Sequence, residues 1–160
     1  MANTLDVEFN LGELTQSLLA MGKEGRQAVI DGVSECTEMI TQRQRELCPA
    51  DSIKQYITKG RIAISPKGTV GMSTGYQDDA FDRSNPKKSP PGVIGLTFEF
   101  GRPGESDKGS SPTMKQVRNG KVVTVEKGSI DPVPHIRRGF DETAEHASDH
   151  LIELFEQKTQ

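Results

Sequence analysis

Gly92-Val93-Ile94-Gly95-Leu96-Thr97-Phe98-Glu99-Phe100-Gly101 is the most apolar run of a polar chain, and its reading decides the fold. Ile94, Leu96, Phe98 and Phe100 alternate with Val93, Gly95, Thr97 and Glu99, and a period of two sets the larger side chains on one face of a strand. Residues 93–101 are therefore expected to form the central strand. Its apolar face would pack on a core, while the face with Thr97 and Glu99 would meet solvent or a neighbouring molecule. The other expected elements arrange themselves around it: a long helix before, a hairpin after, and a last helix closing over the apolar face.

Upstream, residues 6–10 suit a short first strand or an extended lead, and Asn10 can cap a short helix from Leu11 to Met21 with Leu11, Leu14 and Leu18 on one face. Gly22 interrupts. The main N-terminal helix is expected from Lys23 or Glu24 to Leu47, because Val29, Val33, Cys36, Ile40 and Leu47 recur at helical spacing and Pro49 ends the run. Arg43 and Gln44 stand where another apolar residue was due, so the helix is expected to leave the core there or to meet another subunit. Residues 54–65 and 69–73 read as paired strands joined by the turn Ser65-Pro66-Lys67-Gly68, with Ile62 and Ile64 on one face. Residues 74–92, with Pro86, Pro90 and Pro91, suggest an irregular flexible loop.

Downstream, residues 102–113 have the composition of a linker. Met114–Arg118 and Lys121–Glu126 flank Asn119-Gly120, a strong hairpin signal because both turn residues tolerate positive φ. Pairing Val117 with Val122 brings Lys115, Arg118 and Lys121 near the tip, so 102–127 reads either as a protruding arm or as a hairpin covering a sheet edge. Pro134 can open the last helix, whose Ile136, Phe140, Ala144, Ala147, Leu151 and Leu154 form an apolar stripe opposite Glu142, Glu145, Asp149 and Glu153. The sum is a single α+β domain over 1–160, with a mixed or antiparallel sheet of about four strands packed against the long N-terminal and C-terminal helices.

Composition bounds the function. The core is lean: 32% of the 160 residues are hydrophobic, Trp is absent, and there are 16 glycines and 9 prolines. The net charge of −3 hides an asymmetry, since residues 59–127 hold twelve basic and seven acidic side chains whereas the flanking segments are acidic. Such a basic middle could favour phosphates or an acidic partner, or be an ordinary solvated face. Cys36 and Cys48 are separated by about 18 Å of predicted helix, too far for a disulfide, and are expected to be reduced. No leader, lipidation motif or membrane-length apolar run is present, so cytoplasm-like conditions and no membrane are expected.

Catalytic and ligand-binding signals are sparse. His146 and His150 are four apart beside Glu142, Glu145 and Glu153, a spacing that can share a metal, but neither flank completes a metalloprotease signature, so no metal is expected. His135 falls in the first turn of the last helix, where contact with an element end or an interface is expected. Cys36 lies on an apolar stripe, Ser106, Ser110 and Ser111 stand in the linker-like loop, and no glycine-rich phosphate cradle can be read. Neither an enzyme nor a cofactor is expected.

Three stretches in order resemble the tail-completion (neck, or head-tail joining) proteins of tailed bacteriophages. They are Leu47-Cys48-Pro49 at the end of the first long helix, Phe98-Glu99-Phe100-Gly101, and Pro134, Ile136, Arg137 and Phe140 at the start of the last helix. The chain departs from the family pattern at Ala50 to Ile53, where Gly and Leu are usual, and at Arg102, where a small hydroxyl residue is usual. The resemblance implies a structural virion protein, assembled in the host cytoplasm, whose copies form a ring at the head-tail interface. Its implied partners are itself, head-closure or connector proteins, tail terminator or tail tube proteins, and genomic DNA passing through the lumen without sequence-specific binding. The alternative is a small nucleic-acid-binding module using the basic segment 59–127.

The residues expected at subunit or partner interfaces are Glu99, Gly101, Arg102, Lys115, Arg118, Lys121, Pro134 and Arg137. Gly101 supplies a sharp exit with positive φ. Arg137 stands in a first helical turn, where the helix dipole disfavours a cation, so its expected partner is a carboxylate: Glu99, an acid of an adjacent subunit, or Asp141 in the same helix.

Overall fold

The structure, a computed structural model, describes residues 4–10, 12–66, 69–85, 88–102, 113–118, 121–126 and 128–159. The turn residues Lys67 and Gly68, Pro86, the loop 103–112 with its serines, the hairpin turn Asn119-Gly120, Lys127 and Leu11 lie outside the described residues.

Chain order begins with β1 (Thr4–Asn10), α1 (Gly12–Ala20), α2 (Lys23–Leu47) and the short α3 (Asp51–Lys54). Strands β2 (Ile57–Ile64) and β3 (Thr69–Tyr76) follow, then a 3₁₀ turn over Asp78–Phe81 and helix α4 (Pro91–Phe100). Strands β4 (Thr113–Arg118) and β5 (Lys121–Glu126) precede the last helix, α5 (His135–Thr159). The class is α+β. Among the described residues the sheets are a three-stranded antiparallel one in the order β1-β3-β2 and a separate two-stranded one, β4-β5, rather than one sheet of about four strands.

The expected central strand is helix α4, and β3 takes the central place. Pro91 sits in the first helical turn, where its missing N–H costs nothing, and the Ile94 N–H already donates to the Pro90 carbonyl at 3.1 Å. The buried face is Gly92, Gly95 and Glu99, at spacings of three and four. Gly95 is required by close approach: a Cβ built there would lie 2.1 Å from Cζ of the fully buried Tyr76. The alternation of larger residues thus leads nowhere, since Ile94 and Phe100, placed on one strand face by the period of two, are both solvent-exposed.

Helices α2 and α5 are antiparallel partners, tied across their length by Glu35 with His150, Arg43 with Glu142 and Gln44 with the Ile136 carbonyl. The apolar stripe of α5 is therefore covered by α2, not by residues 93–101. The larger apolar cluster joins Leu18, Val29, Val33, Cys36 and Ile40 to Val70 and Met72 of the sheet and Ala147, Leu151 and Phe155 of α5. A second cluster, Cys48, Ile53, Ile57, Tyr76, Ala80 and Ile136, fills the end where α2 stops and α5 starts.

Between the two clusters runs a polar band. Gln44 is fully buried and does not take the helix out of the core. Its amide donates to the Ile136 carbonyl at 3.0 Å and its oxygen accepts from the Thr74 hydroxyl at 2.8 Å, which in turn lies 2.7 Å from the Thr41 hydroxyl. A buried amide with both ends satisfied fixes the register of α2 against β3 and α5 together. Residues 74–76, expected in a loop, complete β3, and Tyr76 and Ala80 are core. The hairpin register agrees with the sequence: Val117 pairs with Val122 and Arg118 with Lys121.

Candidate functional site

The most chemically dense place in the molecule is the start of α5. A helix opens with N–H groups that have no partner in the preceding turn, and a buried start must find acceptors for them. Here the acceptor comes from another element. Glu99, near the end of α4, is 8% exposed, and its two carboxylate oxygens accept the backbone N–H groups of Ile136 at 2.8 Å and Arg137 at 3.0 Å. An anion held against the positive end of a helix is favoured by the dipole as well as by the two hydrogen bonds. Glu99 is thus buried rather than solvent-facing, and it meets the main chain of Arg137 rather than its guanidinium.

The same carboxylate lies 3.3 Å from Nδ1 of His135, which is also 3.0 Å from the Val133 carbonyl. With two oxygen acceptors facing Nδ1, the proton belongs there, and Nε2 is left to accept from the Tyr76 hydroxyl at 2.8 Å. The rings of Tyr76 and His135 meet edge to face with centroids 5.8 Å apart. Beyond the tyrosine, the Cys48 thiol lies 3.8 Å from its oxygen and 3.5 Å from the Ala50 carbonyl. Burial pushes the Tyr76 phenol above its ordinary range, with Cys48 and Glu99 adding to the shift, so it remains a neutral donor. The chain Cys48, Tyr76, His135, Glu99 has the residue types of a proton relay, but all four are buried and the cysteine faces the tyrosine, not the histidine. Its chemistry is that of a buried splice joining the ends of α2, β3 and α4 to the start of α5.

The segment around this junction is fastened by main-chain bonds. The Val133 N–H donates to the Phe98 carbonyl at 2.6 Å, and Arg102 and Ile130 exchange both N–H···O bonds at 2.8 Å. Gly101, with φ +74°, makes the turn between them, as its expected positive φ requires, although it ends a helix rather than a strand. The Arg102 guanidinium donates from Nη2 to the Gly128 carbonyl at 3.0 Å, and its Nε is buried with no partner among the described residues. A shallow groove of about 170 Å³ between α4 and this bridge is lined by Val93, Ile94, Thr97, Phe98, Arg102 and Ile130, with Ser89 at its edge.

Of the expected interface residues, Glu99, Gly101, Arg102, Pro134 and Arg137 come together at this junction. Pro134 is exposed immediately before α5, and the exposed Arg137 guanidinium has, among the described residues, only a long contact, 3.9 Å, to Asp141. Lys115 and Arg118 stand on β4 and Lys121 on β5. Around the junction the surface is apolar where solvent would favour polarity: Phe100 is 67% exposed, Val133 40% and Ile94 37%. His146 is exposed, and His150 pairs with Glu35 at 3.1 Å. No group of three or more His, Cys, Asp or Glu side chains among the described residues is placed to hold a metal ion. Both cysteines are free. No helix among the described residues is long and apolar enough to cross a membrane.

Tyr76 escaped the sequence reading, Cys48 was read only as a reduced thiol and as part of the Leu47-Cys48-Pro49 stretch, and Gln44 was expected to take its helix out of the core or to meet another subunit. A tyrosine in a chain with only two of them was the available signal, because a buried phenol needs a hydrogen-bond partner. Comparison with protein-family models, with curated proteins and with solved structures returned no match.

Proposed function

We propose that the chain is a structural virion protein of a tailed bacteriophage, forming a ring at the head-tail interface that joins the tail to the DNA-filled head and surrounds the genome channel. One observation carries this reading. The three stretches that resemble neck proteins are far apart in sequence, yet Cys48, Glu99 and the residues 134–137 meet at a single junction, where Glu99 caps the last helix. Motif residues that are joined in space form one built device, which three chance similarities have no reason to do. The exposed Phe100, Val133 and Ile94 beside that device suit a protein whose neighbours cover it.

In this reading the role is geometric and non-catalytic. Copies contact each other, head-closure or connector proteins on one side, and tail terminator or tail tube proteins on the other, while DNA passes without sequence-specific contacts. The deciding experiment is electron microscopy of particles made with this gene interrupted by a stop codon. DNA-filled heads beside separate, finished tails are expected. Intact tailed particles would reject the neck role and leave salt-dependent DNA binding through the basic segment 59–127 as the reading to pursue.

A further inference from the structure

Helix α4 is apolar on its outward side as well as its inward one. Its single charged residue, Glu99, is buried and spent on capping α5, and what the helix turns outward is Ile94, Phe100 and the half-buried Val93 and Thr97. Thr97 adds no polarity there, because its hydroxyl donates back to the Val93 carbonyl at 2.9 Å. A surface helix keeps a polar face for solvent, and one that lacks it is covered. Val133 extends the apolar surface, held beside α4 by the bond from its N–H to the Phe98 carbonyl. Two cations border this surface. Arg102 lines the groove along α4, with Nη2 on the Gly128 carbonyl and Nε buried without a partner among the described residues. Arg137 is set at the Phe100 end of the helix by the bond from its main-chain N–H to Glu99. Among the described residues no carboxylate forms an ion pair with Arg102, Arg137 has only its long contact to Asp141, and the exposed Asp131 next to Ile130 pairs with neither.

We infer that this face of α4 docks an acidic amphipathic helix of a neighbouring protein, its apolar stripe in the groove and its carboxylates on Arg102 and Arg137. Val93 with Thr97, and Ile94 with Phe98, form two ridges at four-residue spacing, and the furrow between such ridges receives the apolar anchors of a second helix. The 10 residues of α4 offer about 15 Å of contact, the length of about three turns of a partner. Charge sets the partner's sign: two guanidinium groups without carboxylates of their own favour a partner that brings them and disfavour a basic one. A nucleic acid fits less well, since phosphates on the two arginines would leave Val93, Ile94 and Val133 uncovered. The same face of a second copy would bring arginines against arginines. The inference is independent of the neck reading, which names neighbours without naming a surface.

The test uses the full chain and a fluorescein-labelled helical peptide of about 12 residues, built of leucine, alanine and glutamate with the leucines on one face and the glutamates flanking them. Its fluorescence anisotropy is expected to saturate below about 1 mM chain, and a counterpart with lysine in place of glutamate is expected to bind at least roughly tenfold more weakly. Ile94→Ser and Phe100→Ser, at exposed side chains, are each expected to weaken the glutamate peptide at least roughly tenfold with the melting temperature unchanged. Arg137→Glu weakens the glutamate peptide and strengthens the lysine one, an exchange that a purely structural role does not produce. Arg102→Gln weakens the glutamate peptide as well, and if that variant fails to fold, the exposed Arg137 carries the charge test alone. No saturation by about 1 mM, equal binding of the two peptides, or binding indifferent to Ile94→Ser and Phe100→Ser overturns the inference. So does tighter binding of a labelled single-stranded oligonucleotide that Phe100→Ser abolishes, which would make the face a nucleic-acid surface. A wild-type chain whose sedimenting mass exceeds a monomer's and falls with Phe100→Ser also overturns it, since the occupant is then a second copy. None of these outcomes touches the stop-codon experiment, so this surface and the neck role fail separately.

Discussion

Glu99 is the residue on which the junction turns. A carboxylate that accepts two main-chain N–H groups in a buried place leaves both donors and the helix dipole unanswered when it is removed. Glu99→Ala is therefore expected to cost about 2–3 kcal/mol, read as a shift of the urea unfolding midpoint, and Glu99→Gln about half of that because one acceptor oxygen survives. If both variants match wild type within about 0.5 kcal/mol, the carboxylate is not the helix cap. The sequence marked Glu99 for the right neighbourhood and the wrong reason. Its place in an alternating run pointed to a solvent face, whereas Gly92, Gly95 and Glu99, at successive spacings of three and four, share one helical face whose other members are small residues. Hydrophobic periodicity counts side chains and is blind to a face whose packing is done by their absence. Pro90-Pro91, which can open a helix but not sit inside a central strand, was the signal that could have corrected it.

Elements with a sustained pattern were legible. Helices α2 and α5 have long 3.6-residue stripes, β2-β3 and β4-β5 have turn chemistry, and each stands within a few residues of its expected bounds. What periodicity did not show was partnership: α5 packs on α2 because Gln44, a polar interruption in the stripe, is satisfied by Thr74 and by the Ile136 carbonyl and so serves as a core residue. The hairpin is attached differently from every other element. Arg102 and Ile130 form an antiparallel bridge on either side of it in sequence, which holds together the two ends of the segment that contains the hairpin. Excision of 103–127, with a short Gly-Ser linker from Arg102 to Gly128, is expected to leave a cooperatively folded chain whose melting temperature moves by only a few degrees. The same chain is expected to fail to enter particles. Loss of the folding transition, followed by calorimetry, would show the arm to be part of the body, and normal incorporation would show that assembly does not need it.

At the scale of the molecule, two buried acids report on the whole fold. Burial holds the Tyr76 phenol above its ordinary range, and burial with the charge of Glu35 pushes the Cys36 thiol up to about 11. The folded chain thus keeps protons that the unfolded chain has released, and stability falls with pH wherever that is so. For the thiol the contribution is complete below its unfolded value of about 8.5 and is lost as pH rises through about 11, and for the phenol it is complete below about 10 and is lost only at higher pH still. Urea midpoints are expected to drop between pH 8 and pH 10.5, and Cys36→Ala is expected to flatten that slope while lowering the midpoint at pH 8 through its lost packing volume. An unchanged slope in the variant would place the alkaline sensitivity elsewhere.

The antiparallel pairing of α2 with α5 has a consequence for synthesis. Once Leu47 has left the ribosome, roughly ninety residues must still be translated before His135 appears, and at about 5–20 residues per second that takes on the order of 5 to 20 s. Throughout that interval Val33, Ile40 and Gln44 lack the surface of α5 that finishes their burial. An apolar helix face left open for that long is exposed to aggregation, so yield in a cell is expected to depend on that wait as well as on the stability of the finished fold.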